Sequence, residues 1–108
     1  MMRLVEYIGT IEEDDCIKQY TSVVICGCGK TGKKVADYLR KVHSLSIDCF
    51  FDSNITIQDT YYRNIPIMSY ENGTVNNAAL FLVTNLDVRK TVKHLLNNGI
   101  RKIHIIRP

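Results

Sequence analysis

The sequence is short of proline (two) and glycine (six), and no stretch approaches the ~20 apolar residues that cross a bilayer. With 45% hydrophobic and 23% charged residues, this composition argues against collagen-like repeats and intrinsic disorder. The opening MMRLVEYIGTIEEDD has no long apolar run behind a basic flank. No secretory signal is therefore expected, and the expected location is cytoplasmic. A chain of 108 residues has room for one hydrophobic core, which at this size buries roughly 60–65% of the unfolded surface.

The formal net charge is +3. A dedicated nucleic-acid binder concentrates Lys and Arg on one face, and so mild a total points to no nucleic-acid partner. The distribution says more than the sum. Residues 12–15 are all acids, whereas residues 27–36 hold no acid and three lysines, Lys30, Lys33 and Lys34. The four cysteines, Cys16, Cys26, Cys28 and Cys49, form no Cys-x-x-Cys pair and have no nearby His at zinc-ligand spacing, so no metal site is expected. Cys26 and Cys49 fall in apolar runs and read as small buried hydrophobes. Cys28 lies in a glycine-rich turn. A helix start there lowers a thiol pKa, but a plain turn position is the favoured reading.

Residues 10–20 read as a short helix, with Thr10 and Glu13 as a capping box. Residues 21–26, TSVVIC, are apolar at consecutive positions, as in a strand covered on both faces. Residues 33–42 have helical periodicity, with Val35, Ala36, Leu39 and Val42 on one face. Residues 46–51 form a second strand and residues 78–84 a third. Asn85 is placed to cap a helix over 86–97, Gly99 stops it, and a fourth strand lies within 100–106. A short extended piece near 65–68 is the one candidate for a further strand. Strands alternating with helices of ~10–12 residues mean a parallel sheet. The expected fold class is α/β: an open parallel Rossmann-like sheet of four to five strands with helices on both faces. It covers residues 21–108, with an N-terminal helical extension over 1–20.

The hexapeptide Gly27-Cys28-Gly29-Lys30-Thr31-Gly32 matches G-x-G-x-x-G, directly after a buried strand and before an amphipathic helix. In that context Gly27 allows the tight turn, Gly29 lets a phosphate approach the backbone, and Gly32 lets the helix pack closely. Helix N-terminal amides then face an anion, which also offsets the three lysines. Asp52 ends the second strand twenty residues after Gly32, where an acid accepts hydrogen bonds from ribose hydroxyls and repels a 2′-phosphate. An Asx turn over Asp52-Ser53-Asn54 is the alternative. Thr84 and Asn85 end the third strand and border the same crevice. The expected cofactor-binding set is Gly27, Cys28, Gly29, Lys30, Thr31, Gly32, Asp52, Ser53, Thr84 and Asn85, for NAD or a nucleotide-sugar. His43, His94 and His104 have no carboxylate partner at readable spacing, so no catalytic residue is assigned.

The run VVICGCGKTGKKVADYL, then CFFDSN, NIPIMSYE, ALFLVTN and GIRKIHII, resembles a Rossmann-like domain of bacterial polysaccharide biosynthesis. It is similar to the N-terminal domain of bacillosamine-type sugar acyltransferases and to CoA-binding-like modules fused to dehydratases, glycosyltransferases or methyltransferases. Asn64 stands where that pattern has glycine before Ile-Pro. The resemblance implies a nucleotide or nucleotide-sugar at Gly27, Gly29, Gly32 and Asp52, and a binding module accessory to a fused or partner enzyme, not catalytic by itself. The first half also resembles NAD-binding regulatory domains of potassium-uptake channels, which carry the same glycine turn and strand-ending Asp. Those continue with a Gly-Asp-Ala-type turn where this chain has QDTYYRNIPI at 58–67, so this resemblance ranks second. Two alternatives stay open: an NAD-dependent oxidoreductase completed by oligomerisation, and an NAD-binding regulatory or sensor domain. The expected partners are a small-molecule nucleotide and an enzyme, with a homodimer open and no membrane span. Tyr61, Tyr62 and Arg63 are candidates for an interface, for covering a ligand, or for plain surface.

Overall fold

Alternation within fully buried strands sets the architecture. In β2 (Ser22–Cys26), Val23 and Ile25 join one apolar cluster, while Val24 and Cys26 join another. The same split separates Phe50 from Cys49 and Phe51 in β3 (Ser46–Phe51), and Leu80 and Leu82 from Phe81 and Val83 in β6 (Leu80–Val83). Successive strand residues point to opposite faces, so the two clusters are the two covered faces of one sheet. Helix α1 (Lys30–Tyr38) packs Val35 and Ala36 on the first face. Helix α2 (Val88–Asn97) packs Val92 and Leu95 on the second.

The computed structural model describes residues 4–8, 22–43, 45–71 and 79–107. They also form β1 (Leu4–Ile8), β4 (Thr60–Tyr62), β5 (Ile65–Met68) and β7 (Ile103–Arg107). The sheet has seven strands in the order β1-β7-β6-β2-β3-β5-β4. Every pairing is parallel except β4 with β5. The α/β class, the parallel sheet and the helices on both faces are as expected, and β5 is the anticipated short piece. Two strands are additions. β1 occupies the edge beside β7, where a helical extension is expected, and β4 folds back on β5 through Arg63 and Asn64, both at positive φ. The helix expected over 10–20, its capping box and Cys16 lie outside the described residues. Among the described residues no helix is long and apolar enough to cross a membrane.

Helix boundaries differ from the sequence reading in two places. α1 starts at Lys30 rather than at residue 33, because Gly29 is its N-cap and the last three residues of the glycine motif already form the first turn. It ends in a π-helical segment, Leu39–His43, whose Leu39 is fully buried. α2 starts at Val88 with Asp87 as N-cap, so Asn85 is not the cap. At the other end, Gly99 (φ +82°) donates to Leu96 O and the Ile100 amide to Leu95 O, a Schellman stop at the expected place.

From β2 the chain moves outward through β3 to β5, then returns to β6 on the other side of β2. The strand order reverses between β2 and β6. In open α/β sheets, the crevice outside the carboxyl ends at such a switch is where ligands bind.

Candidate nucleotide-binding site

A cleft of about 340 Å³ opens at this switch point and brings together Gly27, Gly29, Lys30, Thr31, Gly32, Asp52, Thr84 and Asn85. These are eight of the ten residues expected from the sequence. Ser53 lines an adjoining cavity of about 200 Å³ instead, together with Tyr70, Thr91, His94 and again Asn85. Cys28 turns inward: it is 4% exposed and belongs to the α1-face core. Burial pushes its thiol above the ordinary value, against the pull of Lys33, so the lowered pKa considered for a helix start is not what this turn produces.

The three motif glycines are needed for different reasons. Gly27 sits at φ +107°, and a Cβ there would lie 2.9 Å from Asn85 Cβ. A Cβ on Gly32 would lie 1.9 Å from the Gly27 carbonyl oxygen, which backbone cannot accommodate. Gly29 is the opposite case. Its φ of −97° suits any residue and its Cβ position meets nothing within 4 Å. That open space lies directly before the helix start, on the approach a phosphate would take.

The start of α1 has no side-chain cap and no acid in its first turn. The Lys33 amide takes the Gly29 carbonyl at 3.0 Å, which leaves the first-turn amides of Lys30, Thr31 and Gly32 without an intrahelical acceptor. Positive helix-end potential, three donors and the nearby lysines make this an anion-accepting corner.

The turn itself is braced from two neighbouring strands. The Gly27 amide donates to Phe51 O at 2.7 Å, and the Cys28 amide donates to Asp52 Oδ2 at 2.7 Å. Asp52 Oδ1 accepts the Asn54 amide at 2.8 Å, so the Asx turn weighed from the sequence is present. Each carboxylate oxygen keeps a further lone pair, so the turn does not exhaust the acid as an acceptor. From the other side, the buried Thr84 hydroxyl lies 3.0 Å from Cys26 O and 3.1 Å from Gly27 O. Asn85 Nδ2 donates to Thr91 Oγ1 at 2.8 Å, and its Oδ1 is buried with no hydrogen-bond partner among the described residues.

Sequence reasoning missed Leu86, Tyr70 and Thr91. Leu86 is fully exposed on the rim of the main cleft. Tyr70 packs on Phe51 and edge-on to His94 at 5.3 Å, under the second cavity. Burial raises its hydroxyl pKa, and the neighbouring Cys26 adds to that. No local signal marks Tyr70, since its position depends on where the chain goes after β5. His104 is buried, and the side chain of His43 is outside those described. Tyr62 proves to be packing: its ring stands edge-on to Phe50 at 6.0 Å and its hydroxyl donates to Asp37. Tyr61 is 70% exposed.

No family model matches this chain, and no curated protein does. Among solved structures it is similar to RSP, a Rex-family repressor, with a TM-score of 0.65 and 20% identity over 84% of this chain and 48% of that one. The complex of RSP with β-NAD⁺ and operator DNA gives a TM-score of 0.63 and 22% identity, over 81% of this chain and 44% of that one. The likeness shows the fold, a Rossmann-like α/β domain, and the chain spans less than half the length of RSP. The resemblance to sugar acyltransferases finds no support among these matches. One expectation is corrected. A mild total charge led to the exclusion of nucleic acid, yet a protein sharing this fold is seen with operator DNA, and net charge reports neither where charges sit nor what surrounds a domain.

Proposed function

We propose that this chain is an NAD-binding regulatory domain. It holds the dinucleotide across the ends of β2 and β6, and its occupancy is read by another segment or partner. The observation that carries the reading is the unobstructed approach at Gly29 to an uncapped helix start, with Asp52 fixed beside it. The pyrophosphate takes the first-turn amides, and Asp52 accepts from ribose hydroxyls through its remaining lone pairs. The same carboxylate repels a 2′-phosphate, which favours NAD over NADP. The regulatory part is supported by RSP, a repressor seen with both β-NAD⁺ and operator DNA.

Isothermal titration of the chain with NAD⁺, NADH, NADP⁺, a UDP-sugar and CoA tests this reading. NAD⁺ or NADH is expected to bind saturably, with NADP⁺ at least about tenfold weaker from the loss of one favourable contact and one repulsion. No heat from either form of NAD at millimolar concentration, or tighter binding of the UDP-sugar or CoA, refutes it.

A further inference from the structure

Six of the chain's fourteen lysines and arginines share one face. Lys30, Lys33, Lys34, Arg40 and Lys41 are all exposed along α1 and the π-helical segment, opposite the buried Gly32, Val35, Ala36 and Leu39. The hairpin turn between β4 and β5 adds Arg63. Asp37 is the one carboxylate among them, and it is engaged by Arg63 Nε at 3.2 Å and by the Tyr62 hydroxyl at 2.9 Å. Among the described residues this face carries six cations against one acid, whereas the rest carry six of each.

Several of these cations are held in place. Arg40 donates to the Arg63 carbonyl at 2.7 Å, Arg63 Nε reaches Tyr62 Oη at 2.9 Å, and Lys33 Nζ lies 5.3 Å from the Tyr62 ring centroid. Arg40, Lys41, Arg63 and Asp37 border a shallow depression of about 440 Å³.

We propose that this face docks on the sugar-phosphate backbone of duplex nucleic acid. From Lys30 to Lys41 the helix runs about 16 Å at ~1.5 Å per residue. A duplex strand places about four to five phosphates over that length, at ~3.4 Å of axis each. Cations spread along that length can face several of these phosphates, and such contacts read no sequence. Among the described residues no large apolar side chain is exposed on the helix face, which an interfacial membrane helix would need to insert. The proposal does not depend on NAD binding, and its far end at Lys41 and Arg63 is outside the nucleotide cleft.

Fluorescence anisotropy with a labelled duplex of about 20 base pairs, from about 50 to 200 mM salt, tests it. The wild-type chain is expected to bind saturably, with log K falling against log salt at a slope of about −4. The pair Lys34→Glu and Lys41→Glu is expected to weaken binding at least about tenfold and to flatten that slope by about two units. Lys93→Glu, on α2, is expected to change affinity by less than about twofold. The milder pair Lys34→Gln and Lys41→Gln carries the same test if charge reversal lowers the melting temperature. No saturable binding at the lowest salt, an unchanged slope in both pairs, or equal affinity for polyglutamate or phosphatidylserine vesicles overturns the proposal. NAD titrated into the same variants is read separately, so loss of one activity is distinguishable from loss of the other.

Discussion

The Cys28 amide donates to Asp52 Oδ2 at 2.7 Å, which ties the glycine turn after β2 to the end of β3. Asp52 thus has a role before any ligand arrives. It fixes the turn whose amides border the cleft, and it closes its own strand end through Asn54.

Asp52→Ala should therefore affect stability as well as binding. The part-buried Cys28 amide loses its acceptor, at about 1–2 kcal/mol, and the exposed Asn54 amide costs little because water replaces the carboxylate. For a domain of this size the melting temperature should fall by roughly 5–10 °C. The preference for NAD over NADP should shrink with it, as the 2′-phosphate no longer meets a carboxylate. Scanning fluorimetry and paired NAD and NADP titrations check both. An unchanged melting temperature would mean the Cys28 bond contributes nothing.

Two glycine variants separate folding from binding. Gly29→Ala has room for its methyl group and an ordinary φ, so its melting temperature should stay within about 2 °C of wild type. The same methyl sits on the phosphate approach, so NAD affinity should fall at least about tenfold. Gly32→Ala places Cβ against the Gly27 carbonyl and should fail to give a cooperative melt. A Gly29→Ala chain that binds NAD as tightly as wild type would remove the pyrophosphate from this corner.

Alkaline pH should destabilise the fold through its buried acids. Burial pushes the Cys49 thiol up to about 11, with Asp48 adding to the effect, and raises Cys26 and Tyr70 as well. The unfolded chain releases these protons at lower pH than the folded one, so stability is fully present below the ordinary thiol range and is lost as pH rises through it. Cys49 contributes about 2 kcal/mol of this loss between about pH 9 and 11. Urea midpoints at neutral pH and at about pH 10.5 measure it. Cys49→Ala should start from a lower midpoint and show a shallower decline, and equal slopes would rule out the thiol as a source.

What could be read from the sequence follows from what is local. Four of the strands announce themselves as consecutive apolar residues because helices cover both faces, and the glycine motif is a spacing rule that the turn obeys through Gly27 and Gly32. β1 and β4 were not legible. Leu4–Ile8 forms a strand only because β7 lies beside it, about a hundred residues along the chain, and Thr60–Tyr62 is three residues long. The inward turn of Cys28 and the second cavity under Tyr70 depend on how loops after β2, β5 and β6 meet, which no window of sequence contains. Nor did net charge show that six cations line up on one face. That needed the helix start at Lys30 and the hairpin that brings Arg63 to Asp37.

Thr84 offers a test of whether the turn must be held from the β6 side. Its hydroxyl has one proton and two carbonyls within reach, Cys26 O and Gly27 O, and its own amide already donates to Cys26 O at 3.0 Å. Removing the hydroxyl therefore deprives chiefly the Gly27 carbonyl, the atom against which Gly32 packs. Thr84→Val keeps the shape and should cost about 1 kcal/mol, a fall of roughly 4–8 °C in melting temperature. Thr84→Ser keeps the hydroxyl and should lose less than half of that. If the hydroxyl's work is to order the turn, NAD affinity should drop about three- to tenfold in the valine variant and hold within about twofold in the serine variant. Wild-type affinity in both variants would leave Thr84 a stability residue alone, and a loss confined to the serine variant would point instead to the missing methyl group.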